Sequence, residues 1–440
     1  MSDFLQAPLA DLSQRVPHWL EAIQARARAG WEAASLPTRK TENWKYTSLA
    51  PLRDDYQFAE AGTAVAELPA TLAAGFGGHR LVFVDGQFAE NLSSPAAAID
   101  GLTVCRFADA SDEQATDIAG LLGTAIGGDH VFATLNNAAL GDGLFIDVKA
   151  GAIIDRPVEV LWLNAASAQA TAMNQRLLCR VGANASLTIV EHFAGLEGAA
   201  PSFCNGLTEL HVQDNAFLAH YRLHEEAGEA VHIGGVHTRL ARDARYAGFH
   251  LALGSVLKRL DLVVHHAGPG AHADLNGVYL PRGEEHIDYH TTIEHAVPHC
   301  TTDEIFRGII GDSATAVFNG RIHIHPDAQK TRAELSNRNL LTSNEATVNT
   351  KPELEIYADD VQCAHGATVA QLDAAALHYL RTRGVSREEA EVMLSFGFIN
   401  ELIDGLELDS VRDYLRPILA ARFARDEALA RHLLLTRRSQ

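Results

Sequence analysis

Apolar and polar residues along this chain follow three successive rhythms. Near the N-terminus Val16, Trp19, Leu20, Ile23, Ala27 and Trp31 recur at three- and four-residue spacing, which predicts a helix stopped at Leu36-Pro37. Between about residues 60 and 148, short apolar runs such as HRLVFVDGQF (His79 to Phe88) and GLFIDV (Gly143 to Val148) predict strands, with a helix near Ala115 to Ile126. From about residue 149 strand-forming Val, Ile, Leu, Thr and Tyr dominate, and helix-forming runs are absent until about residue 372.

A turn-then-strand phrase recurs through this middle region: KAGAII, GANASL, QDNAFL, RDARYAG, GPGAHADL, GDSATAV and SNEATV. Its alanine stands at 152, 185, 216, 244, 271, 314 and 346, in steps of 33, 31, 28, 27, 43 and 32. Small and Asn/Asp/Gly residues ahead of an apolar strand, at such a period, mark stacked coils that bury a shared interior. The expected fold is mainly β: a parallel β-helix core over 149–371, an N-terminal helical and mixed α/β region over 1–148, and a C-terminal helical domain over 372–440. The step of 43 predicts a loop insertion around YLPRGEEHIDYH.

After Gly366 the period changes. Leu372, Ala376, Leu377 and Leu380 suit a helix ending near Gly384, and Ser386-Arg387-Glu388-Glu389 is a capping box that opens a second. A third pattern runs from Asp409/Ser410 to about Leu435, with Pro417 as a candidate kink. The second helix carries Val392, Met393, Leu394, Phe396, Phe398, Ile399, Leu402 and Ile403, more apolar surface than one buried stripe uses. Met393, Leu394, Phe396, Phe398 and Ile399 are therefore the candidates for docking a partner.

Composition narrows the function. The chain has 440 residues, 47% of them apolar, and a formal charge of −20, which argues against nucleic acid and anionic membranes as partners. Its N-terminus lacks a signal-peptide pattern and no run approaches a membrane span, so a soluble, cytoplasmic protein is expected. Five cysteines at wide spacing, with no CxxC, suit neither a disulfide framework nor a self-contained metal site. Any cluster bound here needs ligands from elsewhere. There is no GxxxxGK[ST], so ATP, if it drives the function, comes with a partner.

Candidate chemistry concentrates in VQCAHGATV, where alternation sets Cys363 and His365 on one strand face, with Glu355, Asp359 and Asp360 nearby in sequence. On the residues alone, a buried strand cysteine beside a hydrogen-bonded histidine competes with a pair of metal ligands. Twelve of the 22 histidines fall between His220 and His299. His286, Asp288 and His290 share a strand face, as do His323 and His325, and the plain expectation for such faces is a solvated outer wall. In PTRKTENWKYTSL, Trp44 and Tyr46 anchor a polar loop.

The pieces VFNGRI (Val317 to Ile322), AQKT (Ala328 to Thr331), NTKPELEIYADDV (Asn349 to Val361) and CAHGAT (Cys363 to Thr368) closely resemble the core signature of the SufB/SufD family of iron-sulfur cluster assembly proteins. PTRKTENWKYTSL and DHVFATLNNAAL also look like that family. The chain is most similar to the SufD branch, because Asn337-Arg338-Asn339 stands where SufB carries Cys-Asp-Ser. One departure is Gln362, where many relatives have Lys. The resemblance implies a right-handed β-helix, and a scaffold subunit rather than an enzyme. That subunit would pair with SufB through the core and bind the ABC-type ATPase SufC through the helix from Ser386 to Ile403. It further implies that His365 is a ligand or acid-base group at the shared interface, with Cys363 beside it. No cofactor would be held tightly by this chain alone; iron or an iron-sulfur cluster would sit there transiently. Two alternatives are a β-helix enzyme acting on carbohydrate or another small substrate through Glu355, Asp359 and Asp360, and a purely structural homodimer. Adjacent Asp359 and Asp360 would point to opposite faces, which is poor geometry for a carboxylate pair.

Overall fold

Strands in stacked coils must satisfy their backbone N–H and C=O groups on the coils before and after them, and that constraint organises most of this chain. The computed structural model describes residues 4–12, 16–59, 63–95, 99–127, 130–165 and 169–423. Successive strands alternate between two ten-stranded sheets and wind through about eight turns of a β-solenoid. The first sheet runs from Leu144–Val148 through Thr171–Val181, Leu257–His266 and His286–His295 to Thr347–Ile356. The second runs from His79–Val84 through Val158–Asn164, Thr301–Ile310 and Arg332–Leu341 to Gln362–Gln371. Along both paths the coil-to-coil pairing is parallel, as for Thr302 with Ala333 and Ala333 with Cys363. Strands from before residue 149 thus already belong to the solenoid.

The edge turns explain the repeating phrase. Gly151, Asn184, Asn215, Asp243, Gly270, His299 and Lys330 all have positive φ and stack along one edge. The backbone N–H of each reaches a carbonyl of the next coil, as Asn184 does to Asp214 at 2.9 Å and His299 to Gln329 at 2.9 Å. Asn, Asp and Gly tolerate this left-handed conformation best, hence their place ahead of each strand. Ala152, Ala185, Ala216, Ala244 and Ala271 lie on this edge, and the ladder continues through Cys300. Ala314 and Ala346 belong to the opposite edge, where Gly198, Gly228, Gly283 and Asp312 are the left-handed residues. The step of 43 is therefore a change of edge and not an insertion. Pro281 to Glu285 is an ordinary edge turn, stacked on the next coil by Gly283 N–H to Asp312 Oδ2 at 2.9 Å and Ser313 N–H to the Gly283 carbonyl at 3.0 Å.

Side chains of the inward parity fill the solenoid. Tyr279, Tyr289, Phe306 and Phe318 form a ladder with ring centroids 5.9, 5.3 and 5.1 Å apart, each contact worth about 0.5–1.5 kcal/mol beyond simple burial. Much of the outward faces is apolar as well and is covered. Helices Glu21–Ala33 and Val131–Ala138 help to bring Trp31, Trp44, Tyr56 and Phe132 onto Phe203, Val231 and Leu257 of the first sheet. Helices Arg387–Asp404 and Asp409–Phe423 lay Ile399, Ile403, Val411 and Leu415 on Tyr221, Phe249 and Val278 of the second.

Local signals read from the sequence reappear with adjusted limits. The first helical pattern becomes a 3-10 turn, His18–Leu20, followed by Glu21–Ala33. The helix expected near Ala115 is Asp112–Leu121, opened by a Ser111/Gln114 capping box and ended ahead of the left-handed Gly123. Ser386 and Glu389 form the expected capping box. The last helix is continuous through Pro417 to Phe423, and its expected extension to Leu435 lies outside the described residues. At one end, antiparallel Leu102–Arg106 and Gln87–Phe88 cap the sheets. At the other, Thr347–Ile356 and Gln362–Gln371 have no further strand beyond them among the described residues.

Asn215, whose Nδ2 also donates to Asn184 Oδ1 at 2.9 Å, tests the edge ladder. Asn215→Val should destabilise the chain by about 1–2 kcal/mol, because a β-branched residue resists positive φ, whereas Asn215→Gly should stay close to wild type. Urea denaturation midpoints of the two variants check this.

Candidate functional site

At the uncapped end, Gln362–Gln371 pairs with Arg332–Leu341 on one side only. The register sets Cys363 over Ala333, His365 over Leu335, Ala367 over Asn337 and Val369 over Asn339, all four residues beneath being buried. Cys363 and His365 thus share the inward parity. With no coil above, Cys363 is half-buried against the interior and His365 is exposed. Burial raises the Cys363 thiol above its ordinary pKa. The strand QCAHGATVAQ holds no Asp, Glu, Lys or Arg, and Val369 is 48% exposed.

The neighbouring carboxylates do not converge on this pair. Glu355 is gripped by Arg321 at 2.9 and 2.8 Å, Asp360 pairs with Lys330, and Asp359 is exposed in the turn between the last two strands. Among the described residues, the groupings of three ligating side chains include neither Cys363 nor His365. The end of the solenoid therefore offers a thiol and an imidazole, donors suited to iron or zinc, with the remaining coordination positions open.

Polar groups line the interior behind them. Asn337 Nδ2 donates to Tyr279 Oη (2.9 Å), Tyr279 Oη to Asn339 Oδ1 (2.5 Å), and Asn339 Nδ2 to Asn337 Oδ1 (2.6 Å). Thr350 Oγ1 closes the network on Asn337 Oδ1 at 2.8 Å. Asn337 and Asn339 thus hold an enclosed hydrogen-bond network together. Glu304 stands in one register column with Leu335 and His365. It is enclosed, with Thr291 Oγ1 donating to Oε1 at 2.6 Å and no partner on Oε2. Burial pushes its pKa up to about 8, so it carries a proton at neutral pH. Sequence reasoning missed Glu304. Its signal was the inward parity that it shares with Thr302 and Phe306.

Comparison with known proteins fits this geometry to a family. Residues 163–398 match the family model for the SUF system FeS cluster assembly SufBD core domain, and residues 2–160 match the SufBD protein N-terminal region. The chain belongs to the SufBD family. It is 31% identical over 405 residues to the iron-sulfur cluster assembly protein SufD of Escherichia coli, covering 92% of each chain. It is 31% identical over 402 residues to an iron-sulfur cluster assembly SufBD family protein of Synechocystis, covering 88% of this chain and 87% of that one. SufD of Bacillus subtilis is 26% identical over 296 residues, 66% of each. This is thus a SufD-like member of an iron-sulfur cluster assembly family. None of its described helices is long and apolar enough to cross a membrane.

Within this SufBD chain, the apolar surface of helix Arg387–Asp404 is largely used internally. Ile399 is fully buried in the cluster over the second sheet, so this docking candidate is a core residue of its own chain. Phe396 and Phe398 pack partly against the same cluster, and the Phe398 carbonyl accepts from Arg307 Nη1 at 2.7 Å. Leu394 is half-buried, and Met393 is 45% exposed. The sequence counted apolar residues, but the breadth of the sheet face beneath them decided how many were consumed.

Most histidines of the 220–299 stretch are enclosed, and of the two faces expected to be a solvated wall one is roofed. His220, His224, His232, His237, His250, His266 and His295 are buried. Inside the solenoid, Glu191 meets His220 Nε2 at 3.0 Å and accepts from Thr208 Oγ1 at 2.7 Å. Burial alone would raise the Glu191 carboxyl, but Arg222 and His220 hold its pKa down at about 2. The face bearing His286, Asp288 and His290 points outward but is roofed by the PTRKTENWKYTSL segment. There Thr47 Oγ1 donates to Asp288 and lies 3.0 Å from His286 Nε2, while Arg259 bridges Asp288 and the Asn43 carbonyl, at 2.7 Å each. Trp44 is buried beneath the Arg259 guanidinium, whereas Tyr46 is exposed. His323 and His325 lie on the partly exposed wall, both against Glu294, at 2.7 and 2.9 Å.

Glu304 makes stability depend on pH. Its carboxyl has an ordinary pKa of about 4.3 in the unfolded chain and about 8 when folded, so between these values the folded state retains a proton that the unfolded state has lost. Stability should fall as pH rises through that window. Glu304→Gln should flatten the slope and melt above wild type at the alkaline end, as read from thermal midpoints across the range.

Proposed function

We propose that this chain is a SufD-type scaffold subunit of a cytoplasmic, ATP-driven SufBCD assembly complex. It pairs with SufB through the last coil of its β-helix and with the ATPase SufC through its C-terminal helices. The observation that carries this reading is the uncapped end of the solenoid. Exposed strand edges are normally blunted by charge, proline or a covering element, yet Gln362–Gln371 is an uncharged ten-residue edge of mostly small residues. Such an edge supports continuation of the sheet by the strands of a partner.

His365 and Cys363 lie on that edge, so a partner strand brought alongside would enclose them and supply the missing ligands. A nascent iron-sulfur cluster, the cargo of the assembly, would then form between the two subunits instead of on this chain alone. His365 acts as ligand or acid-base group, and Cys363 lies at the same interface. The chain has no GxxxxGK[ST] of its own, which supports a scaffold role in which hydrolysis is brought by the ATPase. Among the described residues of the C-terminal helices, exposed Met393 and Tyr379 are the large apolar points left for that partner.

The test is co-expression of the tagged chain with its SufB and SufC, reading subunit content and iron-sulfur absorbance. His365→Ala should leave the complex assembled while the cluster signal falls. Equal absorbance in wild type and variant would make His365 structural, and recovery of the chain only as a homodimer would defeat the scaffold reading. Met393→Glu should lose the ATPase from the purified complex and keep the fold. Ile399→Asp should instead unfold the helical layer, because it buries an unpaired charge, and circular dichroism distinguishes the two effects.

A further inference from the structure

Among the described residues, four sets of three His, Cys, Asp or Glu side chains bring ligating atoms within 4.8 Å of one another. Three of them are unsuited to an ion. His266 and His295, beside Cys300, stack with 8° between ring planes, so no ion lies in both planes as ligation through a ring lone pair requires. Lys258 is enclosed with Glu226 beside Cys204 and His232, which puts a positive charge where an ion would sit. Arg332 holds both oxygens of Asp303, at 2.7 and 2.6 Å, beside His272 and Asp274. The fourth set is Glu294, His323 and His325.

Neighbouring coils bring that set together. Glu294 and His323 are register partners on adjacent strands. His325 follows His323 by two residues and is fixed at the start of an edge turn, its N–H reaching the His295 carbonyl at 3.0 Å and its own carbonyl accepting from Ala328 N–H at 3.0 Å. His323 Nδ1 and His325 Nε2 both face one atom, Glu294 Oε2, at 2.7 and 2.9 Å. The two rings lie 4.3 Å apart with 35° between planes, so the planes cross and one point can lie in both. Arg321 takes only the other oxygen of Glu294, Oε1, at 2.9 Å, and directs Nε and Nη2 to Glu355 at 2.9 and 2.8 Å. One guanidinium against two carboxylates leaves one negative charge over, which favours a cation. Glu294 and His323 are half-buried and His325 is 41% exposed, so the set is open to water on one side.

We propose that Glu294, His323 and His325 form a surface site for one divalent first-row transition-metal ion, of the iron(II) to zinc(II) series. Two imidazoles and one carboxylate on one side of an ion, with the remaining positions open to water, are a donor set that such ions take. The ion lies near the point on which both ring nitrogens converge, and Glu294 Oε2 withdraws by about 2 Å, one metal–oxygen distance, to become the third ligand. Each neutral imidazole carries its proton on the opposite ring nitrogen, His323 Nε2 or His325 Nδ1, so binding changes the tautomer and removes no proton from the protein. Arg321, gripping Oε1, orients the carboxylate as an outer-shell partner does. Open positions and access to water make the ion exchangeable, unlike one in a closed structural site. The set faces outward from the first sheet, whereas Cys363 and His365 have inward parity on the second, so the site is independent of the proposed interface.

Cobalt(II) is the probe, read by equilibrium dialysis of the full chain. Wild type should bind one equivalent, and Glu294→Gln, His323→Gln and His325→Gln should each weaken that binding by about tenfold or more, the least that even an outer-shell loss costs a metal site. Cys363→Ser, His365→Ala and His272→Gln should keep it. X-ray absorption at the cobalt edge of the wild type should show two imidazole nitrogens and no sulfur. Far-UV circular dichroism verifies each fold, and should a variant not fold, the wild-type absorption spectrum decides. Folded wild type without a bound equivalent overturns the site, as does a shell that contains sulfur or fewer than two imidazoles. Binding that survives His323→Gln and His325→Gln, or that is lost with Cys363→Ser or His365→Ala instead, overturns it as well.

Discussion

The parallel hydrogen-bond ladder between coils is the constraint on which the rest of this molecule depends. Each strand is satisfied only when a coil lies on both sides, so a solenoid has two intrinsic ends. Here the ends are treated differently. Antiparallel Leu102–Arg106 and Gln87–Phe88 close the first, while among the described residues Gln362–Gln371 leaves the second open. The open end is where the inward parity, buried everywhere else, reaches the surface. Cys363 and His365 are core positions without a roof, and the same geometry makes them available for chemistry.

Two helical layers complete the fold by a different mechanism. The sheets are apolar on their outer faces too, as parallel sheets usually are, and the N- and C-terminal helices cover one face each. That coverage uses most of the apolar surface of Arg387–Asp404 and leaves Met393 outside. It also encloses polar groups such as Asp288, which Thr47 and Arg259 neutralise and hydrogen-bond.

Polar side chains inside the solenoid follow from the regularity of the backbone. Every second residue points inward whatever its chemistry, so Glu191, His220 and Glu304 are enclosed because of their place in the register. Each then finds a local solution. Glu191 is held ionised by Arg222 and His220, Glu304 keeps its proton, and burial holds the pKa of His224, His250 and His295 below the usual imidazole range. Burial energetics, acting on fixed positions, set these protonation states.

Much of the architecture was legible from one chain. The recurrence of Asn, Asp and Gly before apolar strands determined the solenoid, because those residues adopt the positive φ of the edge turns at the least cost. Strict alternation put Cys363 and His365 on one face, and capping chemistry marked Ser386. Other features depended on non-local pairing. Both edges use the same turn chemistry, so the sequence could not separate a change of edge at Ala314 from an insertion. Polar strand faces look alike whether they meet water or a covering loop, and so the roofed face of His286, Asp288 and His290 was misread as a solvated wall, whereas His323 and His325 do lie on a partly exposed one. Tertiary structure alone decided that Ile399 is core, that Glu304 stands in line with His365, and that Glu294 meets His323 and His325, because each of these depends on which coil lies next to which.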